Sequence, residues 1–81
     1  MTKEILNELV ATGREIEFDY KEKQYSITYY NDNREKYISF CEFYKKTLDV
    51  SNADELWNST YNNISISEML SSLSEDEYSV F

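Results

Sequence analysis

Among the side chains that could do chemistry, carboxylates are the most numerous in this sequence, with 16 Asp and Glu residues. In one segment their spacing is regular. Glu15, Glu17 and Asp19 alternate with apolar residues, so in an extended strand they project from one face at steps of about 6.5–7 Å. Such a row has a pitch like that of phosphates along a nucleic-acid strand, and its chemistry is the binding of cationic groups.

Two other interpretations of this carboxylate row remain open. An edge strand carries charges on its wet face to block unwanted pairing with another strand. Alternatively, nearby cations sit opposite the row and neutralise it as cross-strand pairs. The candidates for this neutralising role are Lys21, Lys23, Arg34 and Lys36.

Charge is distributed unevenly along the chain. All eight Lys and Arg residues lie between Lys3 and Lys46, and the stretch from Thr47 to Phe81 has none. The acids of this second stretch are Asp49, Asp54, Glu55, Glu68, Glu75, Asp76 and Glu77. A field of one sign attracts the opposite sign and repels nucleic acid and anionic membranes. The sequence therefore predicts a basic protein partner and no direct contact with nucleic acid or membrane.

The residue types that most catalytic and cofactor sites require are missing from the sequence. Without His, neither a Ser-His nor a Cys-His pair can form, and one Cys cannot build a tetrahedral zinc site. Gly13 is the only glycine, whereas phosphate-binding loops need several. The oxygen-rich segment around Asp32 lacks the full calcium-loop pattern and is interpreted as a solvated turn. We therefore predict a protein that is not an enzyme and uses no metal or cofactor.

Size and cysteine content narrow the class further. A chain of 81 residues with 16% aromatic content is predicted to fold as one domain over residues 1–81. Cys41 is the only cysteine, so an intramolecular disulfide is excluded, which fits a reducing cytoplasm. No apolar run approaches the ~20 residues of a membrane span and no signal-peptide pattern is found, so a cytoplasmic protein is predicted.

The elements that position the carboxylates begin with a helix over residues 3–12. Thr2 is placed to cap this helix and Gly13 to end it. Its apolar residues recur at helical spacing: Ile5, Leu6, Leu9 and Val10.

Three segments of period-two alternation follow, over residues 15–20, 24–30 and 37–44, and they predict an antiparallel meander. The turns between them are expected at residues 21–23 and 31–33. The third segment is apolar on both faces, which a bulge near Cys41 and Glu42, or cover on both sides, would explain.

Helical patterns return in the second half of the chain. Ser51 or Asn52 can cap one helix, and Ser65 to Glu68 has capping-box spacing before another. The tail over residues 75–81 is too apolar for a loose end and is expected to dock back. The predicted fold class is α+β in the order α-β-β-β-α-α, with helices on one face of a three-stranded meander.

Tyrosines supply the apolar contact that acids lack. Tyr30, Tyr37, Tyr44 and Tyr61 are expected to be partly exposed, although each is equally suited to covering a thin sheet. Tyrosine is enriched at interface hot spots because it buries much area at little rotamer cost. The predicted partner-binding residues are Glu15, Glu17, Asp19, Tyr30, Asp54, Glu55, Glu75, Asp76 and Glu77.

In size, acidity, aromatic content and its carboxylate rows at residues 15–19 and 75–77, the chain loosely resembles small acidic inhibitors from phages and mobile elements, such as anti-CRISPR and anti-restriction proteins. The resemblance implies an inhibitor that occludes the basic groove of a nuclease or CRISPR-type effector, with carboxylates replacing phosphates. The same surface suits an immunity protein or antitoxin for a basic toxin. A third hypothesis is a non-inhibitory adaptor or homo-oligomer, whose apolar strand face is the interface.

Overall fold

The computed structural model describes residues 1–32 and 34–81 and places a five-stranded antiparallel sheet at the centre of the fold. The elements are, in chain order, α1 (Lys3–Ala11), β1 (Ile16–Tyr20), β2 (Lys23–Asn31), β3 (Lys36–Glu42), β4 (Thr47–Val50), α2 (Ala53–Trp57), β5 (Thr60–Tyr61), β6 (Ile64–Ser65), α3 (Ile66–Ser71), a 3₁₀ turn (Glu75–Glu77) and β7 (Tyr78–Val80).

The strand order of the sheet is β4-β3-β2-β1-β7, and β5 and β6 form a separate two-stranded hairpin. The α+β class is thus as predicted, but the three-stranded meander is only the middle of a larger sheet. Strand β4 adds to β3, and β7 adds to β1. With four and three residues, these two outer strands are too short for alternation to reveal them in the sequence.

One face of the sheet and the inner sides of the helices form one hydrophobic core. Strand β1 contributes Ile16 and Phe18, and stacked rings continue the core through Phe18, Tyr25 and Phe40, with centroids 5.4 and 5.7 Å apart. The helices add fully buried side chains to the same cluster: Leu6, Leu56, Ile66, Met69 and Leu70. Because all the helices pack on this one face, the opposite face is uncovered; it carries small and polar residues, with Tyr30 and Tyr37 paired at one end.

Helix ends follow the local signals in the sequence. Thr2, Asn52 and Ser65 cap α1, α2 and α3, each accepting a hydrogen bond from the backbone N–H three residues further on. Gly13 follows α1 in a left-handed conformation, with φ +67°. None of the helices in the described part of the chain has the length and apolar content needed to cross a membrane.

The amino group of Met1, just before α1, forms hydrogen bonds at the end of α3. Met1 is buried, and its amino group donates hydrogen bonds to the carbonyl oxygens of Leu70 and Leu73. These carbonyls lie at the C-terminal end of α3, where a positive charge is favourable.

The third strand ends earlier than the sequence pattern predicted, and the bulge expected near Cys41 and Glu42 does not form. Pairing with β2 and β4 runs without interruption through Cys41, which lies opposite Ser26 and Thr47. Phe43, predicted to be in the strand, instead lies in the following turn. Cover on both faces is not seen either, because Cys41 is only half-buried and lies outside the core.

Two hairpins place side chains in backbone conformations that favour glycine. Tyr20 pairs with Lys23, which leaves a two-residue loop in which Lys21 and Glu22 have φ values of 49° and 68°. The β5–β6 hairpin has the same form with two asparagines, which tolerate the left-handed region better. The predicted turn at residues 21–23 therefore forms despite unfavourable residue types.

Replacing Lys21 by Asn and Glu22 by Gly together is expected to stabilise the protein. The change relieves two left-handed non-glycine residues, so the free energy of unfolding should rise by roughly 1–2 kcal/mol. Urea unfolding measures this difference. Asn63→Gly in the second hairpin serves as the control and should give a smaller gain; an unchanged or lower midpoint for the double variant would contradict the prediction.

Candidate protein-binding site

The face of the sheet opposite the core carries polar side chains. Its centre is made of small, half-buried residues: Ser26, Thr28, Ser39 and Cys41. On β1, Glu17 and Asp19 are exposed on this face because Ile16 and Phe18 point into the core. Glu15 directly precedes the strand, and its carbonyl oxygen accepts the N–H of Phe81 at 2.8 Å, so pairing with the tail extends to it. Glu17 and Asp19 of the predicted carboxylate row therefore lie on the uncovered face, and Glu15 is exposed at the start of β1.

The pairing of β7 with β1 brings a second group of acids to this row. Glu17 lies opposite Ser79, so the 3₁₀ turn that precedes β7 lies beside the end of β1. Glu17, Asp19, Asp76 and Glu77 line one shallow depression of about 300 Å³. We call this feature the acidic depression; it joins two carboxylate groups that are far apart in sequence.

Hydrogen bonds to Ser74 hold one wall of the acidic depression. The Glu77 carboxylate accepts hydrogen bonds from both the backbone N–H of Ser74, at 2.9 Å, and the Ser74 hydroxyl. These bonds favour the charged form and hold the pKa of the Glu77 carboxyl below its ordinary range. The turn is thereby fixed, and this carboxylate stays ionised in mildly acidic solution.

No Lys or Arg side chain among the described residues forms an ion pair with the acidic depression, and the charge of the N-terminal amino group adds to the hydrogen bonds that lower the pKa of Glu77. Within residues 1–32 and 34–81, the one ion pair joins the Lys3 ammonium to Asp54, in the helical layer. Lys21 instead extends over the ring of Tyr20, 5.4 Å from its centroid, and the Arg14 guanidinium donates to the carbonyl oxygen of Phe81. Cross-strand neutralisation, one of the interpretations left open by the sequence, is therefore not observed among the described residues.

Five of the nine predicted binding residues do not line the acidic depression: Glu15, Tyr30, Asp54, Glu55 and Glu75. Asp54 and Glu55 lie on α2, whose buried side belongs to the helical layer. The Asp54 carboxylate pairs with Lys3, and the Glu55 carboxylate accepts the N–H of Ser51 at 3.0 Å, so both have local structural contacts. Glu75 is exposed in the 3₁₀ turn but does not line the depression.

The tyrosines expected to be exposed have different environments. Tyr30 is 46% exposed and stacks on Tyr37, with ring centroids 4.8 Å apart, at the end of the sheet next to the β2–β3 connection. Tyr44 is 99% exposed in the β3–β4 turn. Tyr61 is buried, contrary to the expectation, because its ring packs edge-on against Tyr25 and Phe40 in the core.

Sequence reasoning missed Phe43 as a site residue. It was placed in the third strand, whereas the structure puts it in the turn, where it lines the acidic depression. Asp49 is also not among the predicted partner-binding residues. It pairs with Ser39 across β3 and β4, and its charge is among the causes that, after desolvation, raise the pKa of the Tyr37 phenol. No local pattern distinguishes either residue, because their neighbours come from other strands.

The Asp32 carboxylate accepts hydrogen bonds from the backbone that follows it. One carboxylate oxygen accepts the N–H groups of Arg34 and Glu35, each at 3.1 Å, and these bonds lower the pKa of Asp32. Asn33, part of the predicted turn, lies outside the described residues. Across the described chain, no group of three or more Cys, Asp or Glu side chains is arranged to hold a metal ion.

Comparisons with protein-family models, with curated proteins and with solved structures found no match to this chain. The resemblance to small acidic inhibitors therefore stays a prediction from composition. Any function has to be inferred from the geometry of the molecule itself.

Glu77 provides a pH-dependent test of this site. Because its folded-state pKa is lowered, its hydrogen bonds add stability above the ordinary glutamate pKa of about 4.3, and this stability is lost as pH falls through the folded value. We expect Tm to fall more between about pH 5 and about pH 3 in the wild type than in Glu77→Gln. Glu75→Gln removes the same charge from the same turn and should keep the wild-type slope. Equal slopes in all three proteins would show that the Ser74 contacts are not formed.

Proposed function

We propose that this chain is a binding inhibitor that occludes a basic nucleic-acid-binding groove of a nuclease or CRISPR-type effector. Its carboxylates take the places that phosphates occupy on that groove. The observation that carries the proposal is the acidic depression, where Glu17, Asp19, Asp76 and Glu77 converge without an ion pair to any Lys or Arg of the described residues.

Rigid presentation supports this function. Glu17 and Asp19 belong to β1, which is paired on both sides and anchored by buried Ile16 and Phe18. A carboxylate held on a paired strand loses little conformational freedom when a partner's Lys or Arg approaches, so less of the interaction energy is lost to ordering. A row of acids on a loose tail would lack this advantage.

The direction of the electric field also supports a basic partner. The net charge is −8, and the acids of the depression face outward on the uncovered side of the sheet. Complementary charge accelerates association and suppresses wrong partners, in a salt-dependent manner. The same field repels nucleic acid and a second copy of the chain, so competition through the partner's groove is favoured over contact with DNA itself.

Affinity capture from a bacterial lysate with charge-reversed variants tests the surface. Wild-type protein should retain basic nucleic-acid-binding proteins at low salt and release them at high salt. Glu17→Lys combined with Asp19→Lys should reduce this capture by about tenfold or more, since each lost contact to a charged group costs on the order of 1–3 kcal/mol. Glu8→Lys combined with Glu68→Lys makes the same charge change on exposed helix positions and is the control.

Both variants should stay folded, because exposed substitutions change stability by only about ±0.5 kcal/mol each. Equal loss in both variants would indicate a non-specific charge effect and no defined surface. Occlusion is tested on the captured nuclease or effector itself. If this protein binds it equally well with DNA already loaded, the groove is not the site.

The other hypotheses give different results in the same experiments. An immunity protein or antitoxin would protect cells from one basic toxin. A homo-oligomer would use the uncovered sheet face or the free edges of β4 and β7, and would sediment as a dimer insensitive to salt.

A further inference from the structure

We propose that the β3–β4 turn, residues 42–46, carries the aromatic anchor of the interface. In this proposal, Tyr44 inserts into an apolar pocket that lies beside the cationic groups bound by the acidic depression. The inference rests on the proposed function, because both features would contact the same partner, and it adds a second chemical requirement to that partner.

The first observation is the exposure of Tyr44. Its side chain is 99% exposed, and its ring meets only the edge of Phe43 among the aromatic rings of the described residues, with centroids 6.1 Å apart. A tyrosine buries roughly 150–250 Å² when it enters an interface. The free chain therefore presents a large aromatic surface that contributes almost nothing to its own core.

The second observation is the backbone of the same residue. The N–H of Lys45 donates to the carbonyl oxygen of Glu42 at 3.0 Å, which closes a turn with Tyr44 at the third position and φ of +67°. That position favours Gly or Asn, because a side chain there is strained. A tyrosine in this place destabilises the free chain, and no burial offsets that cost, so its ring is free to gain burial in a contact outside the chain.

The third observation is that a buried tyrosine holds the turn in place. The Tyr61 hydroxyl accepts the N–H of Glu42 at 3.3 Å and donates to the carbonyl oxygen of Lys46 at 2.6 Å. Both ends of the turn are therefore attached to one side chain, whose ring is fixed in the core against Phe40. A turn positioned in this way presents Tyr44 with little conformational entropy left to lose on binding.

The position of the turn defines the chemistry of the partner. Phe43 lines the acidic depression, and Tyr44 is the next residue in the chain, with its ring centroid 6.1 Å from that of Phe43. Lys45 and Lys46 follow and are exposed, which makes the tip of the turn locally basic. The matching surface is therefore an apolar cavity at Tyr44, with cationic groups placed only toward Glu17 and Asp19.

Two synthetic peptides of equal charge serve as probes, one alternating Arg with Gly and the other alternating Arg with Leu. We expect both to shift the backbone NMR signals of Glu17, Asp19 and Phe43, which line the acidic depression, and only the Arg-Leu peptide to shift Tyr44. The wild type should bind the Arg-Leu peptide about tenfold more tightly. Tyr44→Gly should remove this preference while raising the Tm of the free chain, because the turn is relieved. Tyr44→Asn is the matched variant that keeps a side chain.

Tyr61→Phe tests the positioning of the turn. It should weaken the preference for Leu and speed amide exchange at residues 43–46, while binding of the Arg-Gly peptide stays the same. An unchanged preference in Tyr44→Gly, or a lower Tm of that variant, would overturn the anchor. If Glu17→Lys with Asp19→Lys leaves Arg-Gly binding intact, the proposed function fails instead, whatever the Tyr44 variants show.

Discussion

The two-residue alternation of β1 fixes which of its side chains enter the core and which carry charge on the surface. Burial of Ile16 and Phe18 on one face requires Glu17 and Asp19 to face solvent on the other. A register shift of one residue would place carboxylates in the core at a cost of several kcal/mol, so the pairing with β2 and β7 is strongly specified. Burial of the apolar residues of β1 therefore also places its carboxylates on the surface, and a change of register would alter both.

Strand β7 links this constraint to the acidic depression. Its pairing with β1 covers an edge of the core with Tyr78 and brings the 3₁₀ turn beside Asp19. Gathering like charges costs some stability through repulsion. The sheet tolerates this because the carboxylates stay hydrated and the apolar contacts that hold β7 lie on the other face. The result is a concentration of negative charge on the uncovered face.

The tyrosines show how one residue type takes different roles within this frame. Tyr25 stacks in the core, and Tyr61 combines a buried ring with a hydroxyl that holds the β3–β4 turn. Tyr44, in that turn, packs on almost nothing in the free chain. A tyrosine can pack its ring in a core, hydrogen-bond to backbone groups through its hydroxyl, or remain exposed to solvent. Which of these occurs depends on its neighbours in space.

Local patterns determined much of this protein in advance. The caps Thr2 and Ser65 and the alternation of β1 act between residues near in sequence, so the sequence predicts them; for α2 it offers Ser51 or Asn52, and Asn52 is the cap. Tertiary structure decided what depends on distant neighbours. It added β4 and β7 to the sheet, separated Asp54 and Glu55 from the other acids, buried Tyr61 and exposed Tyr44. Short strands and half-buried rings carry little periodic signal, and their positions are set by the burial and hydrogen bonds that distant segments offer.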